Sequence, residues 1–451
     1  MARPTPTPAT GSHDIVDRVT RRLAVLDDPT RPERQAFRVI HADTALQEAE
    51  ASARRHAQGL ALGPLDGCIL SVKDLFDEAG EVTIAGAPVR ASAPPAQTDA
   101  TAVQRLKQAG AIIIGRTHMS EFAFSGIGIN AAFGTPGNPR DATRIPGGSS
   151  SGAAASVGYG MCDIGLGSDT GGSVRIPAAL CGLTGFKPTS GHVPLDGAFP
   201  LSPTLDTIGP IARTVAECAH AFAVLSDRPG LLPPTRSAAR LSRHRLGIIR
   251  TDSVYDGAEP AVLAAMRTAE QALRAAGATP VDVDITDILD GLAHLDGLGL
   301  FPAIELAAIL AGLSPAETRQ IDPRIWSRVV PGYAVSATTY LAMQEQRRVM
   351  IARMSALMAG YDALLLPTVP VTAPRIDSLD DDEAFRRTNG LLLRNTRIGN
   401  LLDLPSSSLP IPTDELPVGL MLWGARGQDK QVLLLSHLIE SALAGRPPAT
   451  L

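Results

Sequence analysis

The residues best suited to chemistry in this chain lie in two glycine–serine clusters. One is Pro146-Gly147-Gly148-Ser149-Ser150-Ser151-Gly152; the other is Asp169-Thr170-Gly171-Gly172-Ser173-Val174-Arg175-Ile176-Pro177. Glycines this dense let backbone approach other backbone or a ligand closely. Serine hydroxyls are weak nucleophiles until a neighbouring base takes the proton, so the clusters require a base elsewhere. None of the nine histidines sits in a motif that marks a catalytic base, and His437 lies in an apolar run, 432–439, that reads as a helix. Lys73 is the better candidate. It follows Gly67-Cys68-Ile69-Leu70-Ser71-Val72, a mostly apolar, strand-like run, and a lysine carried into an apolar interior loses hydration and with it basicity. Moving its pKa from ~10.4 to near 7 takes roughly 4 to 5 kcal/mol, within what burial supplies. Asp74 need not oppose this, because alternate strand residues point to opposite faces. The competing reading is a lysine that snorkels from a strand end with its charge in water.

Two other patterns touch the same region. Gly148-Ser149-Ser150-Ser151-Gly152 satisfies G-x-S-x-G, the nucleophile elbow, with Ser150 at its centre. An elbow needs a strand running into it, and Asp141-Ala142-Thr143-Arg144-Ile145-Pro146 is turn-like, so the match reads as accidental. Gly126-Ile127-Gly128-Ile129-Asn130-Ala131 fits a dinucleotide G-x-G-x-x-A, but no β-α-β context with a following acidic residue accompanies it.

Lys73, the 147–152 cluster and the segment Gly167 to Pro177 together resemble the amidase signature family, in its stand-alone bacterial form. The resemblance runs from about Gly67 to Arg213, through segments 115–122, 181–189 and 206–210, and more weakly through 362–368 and 417–421. It implies a Ser-Ser-Lys triad. Ser173 would be the nucleophile, and Ser149, after a cis peptide bond from Gly148, would bridge it to neutral Lys73. Backbone N–H groups of Thr170, Gly171, Gly172 and Ser173 would hold the oxyanion. Ser150, Asp169 and Arg175 would be supporting residues, the last two as an ion pair, and Phe124, Ser125 and Gly126 would line the acyl side of the pocket. The implied fold is α/β, a central mixed, mostly parallel twisted sheet covered by helices on both faces. The implied activity is hydrolysis of a carbonyl–nitrogen bond in a small-molecule amide or carbamate through an acyl-enzyme, with no metal and no cofactor. Family members cleave aliphatic amides, aryl amides, ureas and carbamates with one constellation, so the substrate stays open. So does the oligomeric state, a homodimer being one option. The alternatives are an amidotransferase A-type subunit that hydrolyses glutamine for a partner, a histidine-dependent esterase, and a non-catalytic protein that keeps the fold.

The elements that must position these residues read as alternating strands and helices. Helices are expected at 15–26 and 44–58, then the Lys73 strand, a helix over 99–109 closed by Gly110, and a strand at 111–114. Strand, helix and strand joined this closely suggest parallel wiring. A helix over 151–161 feeds a strand at 163–167, bringing the second cluster to a strand's carboxyl end, where open α/β sheets place ligands. The pattern repeats at 245–249, 259–275 and 281–283, with a helix at 214–225 before it and elements at 338–358, 363–366 and 428–443 after it. Segment 285–340, apolar but punctuated by Pro and Gly, is expected to cover the pocket mouth. Residues 1–12 read as a disordered tail ahead of a single domain, 13–451, whose signature core spans about 67–213. With 44% hydrophobic and 19% charged residues, a net charge of -5 and few aromatics, the chain is globular and unsuited to nucleic acid or an anionic membrane. The four cysteines form no C-x-x-C pattern, which with the absence of an apolar leader suggests a reduced, cytoplasmic setting.

Overall fold

Period-two alternation decides which face of the sheet each apolar side chain enters. In strand β2 (Ile69–Lys73), Ile69 joins Ile112 and Ile114 in one hydrophobic cluster, whereas Leu70 and Val72 join Ile113 in the cluster on the opposite face. Lys73 shares the face of Ile69 and Ser71, the face on which the Ser71 hydroxyl meets that of Ser156 in the helix Ser151–Gly158 at 2.9 Å. Helices therefore cover both faces of a central sheet. The computed structural model describes residues 12–228, 230 and 240–445. The expected tail falls outside these residues except for Ser12, at which the first helix (Ser12–Leu26) begins.

Beside β2 the strands are β1 (Phe37–Ile40), β3 (Ile112–Thr117), β4 (Ile164–Asp169), β5 (Thr184–Lys187), β6 (Thr207–Ala212), β7 (Leu246–Ile249), β8 (Val281–Val283), β9 (Ala363–Pro367), β10 (Ser406–Ile411) and β11 (Val418–Trp423). Among the described residues they form one eleven-stranded sheet in the order β1-β3-β2-β4-β6-β5-β10-β11-β9-β7-β8. The expectation of a mostly parallel sheet holds only locally. β2 runs parallel to β3 and β4, and β7 to β8 and β9, while the six other pairings are antiparallel. Parallel neighbours need a crossover. Helices Thr101–Gln108 and Pro260–Ala275 supply it between β2 and β3 and between β7 and β8. No helix separates β5 from β6 or β10 from β11, and those pairs run antiparallel.

Segment 285–340 is helical, as Thr286–Leu298, Phe301–Ile309, Pro315–Thr318 and Pro323–Val329. Pro302, Pro315 and Pro323 stand in the first turn of three of these helices, where a missing N–H costs nothing, so they start helices instead of breaking them. By length and composition Thr286–Ile309 could cross a membrane. However, it contains Asp287, Asp290, Asp296 and Glu305, and Gly299 ends its first helix. Ile288, Leu292, Leu295 and Phe301 bury against Met343, Met350 and Met354 of the helix Ala337–Met358.

Candidate active site

Parallel pairing brings the carboxyl ends of β2 and β4 to one edge of the sheet, with Val72 opposite Leu166. That edge presents Lys73 at the end of β2 and Ser168-Asp169 at the end of β4. Lys73 is fully buried and does not snorkel. Its Nζ lies 2.7 Å from Ser149 Oγ and 2.8 Å from Ser168 Oγ. Burial pulls its pKa down to about 7, against the opposing pull of the Asp169 and Asp206 carboxylates. Asp74, just beyond the strand, is held by Arg38 at 2.6 Å and Arg116 at 2.8 Å.

The Gly148–Ser149 peptide bond is cis. Its segment is pinned on three sides: Gly148 N–H donates to the Gly126 carbonyl, Ser120 N–H to the Ser149 carbonyl and Ser150 N–H to the Ser173 carbonyl. A Cβ on Gly148 would stand 2.6 Å from Gly128 N, so only glycine lets these two backbones close. Ser150 Oγ donates to the Ser168 carbonyl and Ser151 Oγ to the His118 carbonyl. No strand enters this segment, as an elbow at Ser150 would need.

Asp169 organises the second cluster. Its carboxylate accepts from Gly172 N–H at 2.8 Å, from Val174 N–H at 3.1 Å and from Arg175 Nε and Nη2 at 3.0 and 2.9 Å. Burial alone would raise its pKa; the Arg175 charge and hydrogen bonds, with Lys187 and Asn400, hold it well below the usual carboxylate range. Gly172 N–H donates to Asp169, while the N–H groups of Thr170, Gly171 and Ser173 take no hydrogen bond within the described chain. Thr170 Oγ1 instead donates to Asp206, a carboxyl that burial pushes up to about 6 against bonds from Thr170, Ser202 and Leu201.

The Ser173 hydroxyl is tied to no other side chain among the described residues, and Ser173 lines a cavity of about 100 Å³ together with Thr170 and Gly171. The wall is largely apolar: Phe124, Leu201, Leu205, Phe301 and Leu401 are among its residues. Leu295, Asp296, Gly299, Phe301 and Arg328 come from segment 285–340, expected at the pocket mouth. A second cavity, of about 320 Å³, shares Ala123, Thr170 and Leu201 with the first and touches Ser168 and Asp206. Among the described residues no three His, Cys, Asp or Glu side chains converge as a metal site.

The family model for amidases matches residues 15–433. The chain is 37% identical over 404 residues to a 2-amino-5-chloromuconic acid deaminase of Comamonas testosteroni, covering 87% of this chain and 85% of that one. It is 33% identical over 458 residues to the A-type subunit of the glutamyl-tRNA(Gln) amidotransferase of Synechococcus sp. (strain RCC307), covering 94% and 93%. The chain belongs to the amidase family. A crystal structure of an amidase superposes on it with a TM-score of 0.82 at 30% identity over 96% of each chain. As an amidase it is a hydrolase of carbon–nitrogen bonds.

Of the residues expected to touch substrate, the amidase puts Phe124 and Ser125 on the cavity wall but not Gly126. Gly126 faces Ile176 and Leu393, and its N–H donates to Asn389 Oδ1 at 2.8 Å, so it anchors the loop. Several site residues carry no motif that would have flagged them. Ser168 pairs with Lys73. Asn389 holds the 125–126 loop, and Thr396 Oγ1 donates to the Gly171 carbonyl at 2.6 Å. Asn400 Nδ2 donates to Asp169 at 2.8 Å. Ser168 stood inside the readable cluster, but its role needs the pairing of β2 with β4; the other three lie in helices more than 200 residues downstream of the turn or loop they brace.

Proposed function

We propose that this amidase cleaves amides or carbamates through an acyl-enzyme on Ser173, with Ser149 and neutral Lys73 as the proton relay. Ser173 Oγ attacks the carbonyl carbon while its proton passes to Ser149 Oγ and the Ser149 proton passes to Lys73 Nζ. The tetrahedral oxyanion accepts from the free N–H groups of the 170–173 turn, each well-aimed donor contributing about 3 kcal/mol to the transition state. Collapse expels the amine, which takes a proton from Ser149 as Lys73 returns one. Water then repeats the sequence on the ester. The observation that carries the reading is a fully buried lysine amine 2.7 Å from Ser149 Oγ, beside a serine that lines an apolar cavity.

The test is a panel of an aryl amide, an aryl carbamate, a urea and an ester assayed with Ser173→Ala, Ser149→Ala and Ser150→Ala. Loss of turnover in the first two with turnover retained in Ser150→Ala supports the relay, and the panel ranks the substrates. Loss in Ser150→Ala alone would sink it. A second reading, glutamine hydrolysis for a partner chain, draws on the likeness to the amidotransferase protein. It requires the purified chain to be inactive on the panel and to gain glutaminase activity with added partner subunits.

A further inference from the structure

The largely apolar cavity beside Ser173 carries three charged groups: Arg328, Arg397 and Asp296. Arg397 and Asp296 neutralise each other across two contacts, Nη1 to Oδ1 at 3.0 Å and Nη2 to Oδ2, at a partly exposed position. Arg328 has no such partner. No carboxylate among the described residues pairs with it, and its protein contacts are the Phe124 carbonyl, to which Nη1 donates, and the Phe124 ring, whose centroid lies 4.1 Å from the guanidinium carbon. Burial lowers its pKa only to about 10, so it stays charged at neutral pH. The wall thus carries two cations and one anion, and the unmatched cation is the one that grips the acyl-pocket loop.

A half-buried guanidinium without a counter-charge is costly to keep. A planar fork with free N–H groups also matches a carboxylate, which it can bind with two parallel hydrogen bonds. We infer that the substrate is itself an anion, an amide or carbamate whose acyl portion bears a carboxylate that Arg328 binds while Ser173 attacks the carbonyl. The inference rests on the hydrolase reading above and adds the substrate class. Asp296, by neutralising Arg397, leaves room for one carboxylate and not two.

The test uses a matched set: the mono-4-nitroanilide of glutaric acid, its methyl ester and the equivalent carrying a terminal amine. A charge-assisted pair of this kind should give the acid a kcat/KM about 10- to 100-fold above that of the ester, chiefly through KM, with the amine poorest. Arg328→Gln should collapse the acid-to-ester ratio towards one, and Arg328→Lys should restore part of it. Should Arg328→Gln misfold, the wild-type ratio still decides, since an ester preferred to the acid overturns the inference. Calorimetry of glutarate binding to Ser173→Ala protein separates the two readings. Glutarate binding with no turnover of any anilide keeps the anion site and removes the hydrolase reading. Turnover of the ester with no glutarate binding does the reverse.

Discussion

Ser168→Ala isolates the titration of Lys73. In the wild type the drop from 10.5 to about 7 corresponds to about 5 kcal/mol at 1.36 kcal/mol per pKa unit. Half of the amine is then free base at pH 7, against ~0.03% for an ordinary lysine. If Lys73 is the base, kcat/KM for an anilide rises with pH along a limb centred near 7, falling tenfold per unit below it. Ser168 Oγ accepts from Lys73 Nζ at 2.8 Å, and such a bond favours the ammonium over the amine. A hydrogen bond to a charged group is worth about 1 kcal/mol more than one to a neutral group. Removing it should therefore shift the limb down by about one unit, to near pH 6, with a modest loss of plateau rate because the base is weaker. Two carboxyls could imitate the wild-type limb: Asp206, pushed up to about 6, and Glu121, which burial raises to about 7. Neither is hydrogen-bonded to Ser168. The assay is the pH dependence of kcat/KM from 5 to 9 for wild type, Ser168→Ala and Glu121→Gln. A limb that stays at 7 in Ser168→Ala, or vanishes in Glu121→Gln, refutes the assignment to Lys73.

Lys73→Met should abolish amide turnover yet flatten the pH dependence of stability. The folded pKa lies below the unfolded one, so the unfolded chain holds more protons between about 7 and 10.5 and wild-type stability climbs with pH across that window; melting temperatures at pH 7 and 9 should differ less in the variant. Asp169→Asn should cost about 3 to 5 kcal/mol in urea unfolding, because it leaves the fully buried Arg175 without its carboxylate; a loss under 1 kcal/mol would show the pair to be dispensable. Gly172→Ala should yield no soluble enzyme, since its φ is +130° and the new Cβ would stand 2.1 Å from Thr396 Oγ1; recovery of active protein would contradict the tight seat of helix Thr396–Leu401 on the turn.

What could be read from the residues divides along a physical line. Lys73 stood out because a charged residue ends an apolar strand run, a local signal that survives without knowledge of neighbours. The parallel pairs β2–β3 and β7–β8 were legible for the same reason, since the crossover helix lies between their strands in sequence. The middle of the sheet was not. β5, β6, β10 and β11 pair antiparallel without a helix between consecutive strands, and β5 meets β10 across more than 200 residues. Nor was the bond from Gly172 N–H to Asp169 legible, because it follows from the side-chain conformation of Asp169 three residues earlier. The roles proposed for Ser149 and Ser173 rest on family resemblance, not on any spacing rule.

The same division separates chemistry from selectivity in the molecule. Lys73, Ser149, Ser168 and Ser173 all lie between residues 73 and 173, on strand ends and turns whose backbone is fixed by close contacts such as that of Gly148 with Gly128. A side chain cannot be added there without moving backbone, so the proposed relay has little room to vary. The cavity's charged groups, Asp296, Arg328 and Arg397, all come from helices beyond residue 285. Exchanging one of those side chains alters the charge of the wall and leaves the distance between Lys73 and Ser149 untouched. In the proposed mechanism one relay therefore serves neutral, cationic or anionic acyl groups, and the anion site proposed at Arg328 is what selects among them.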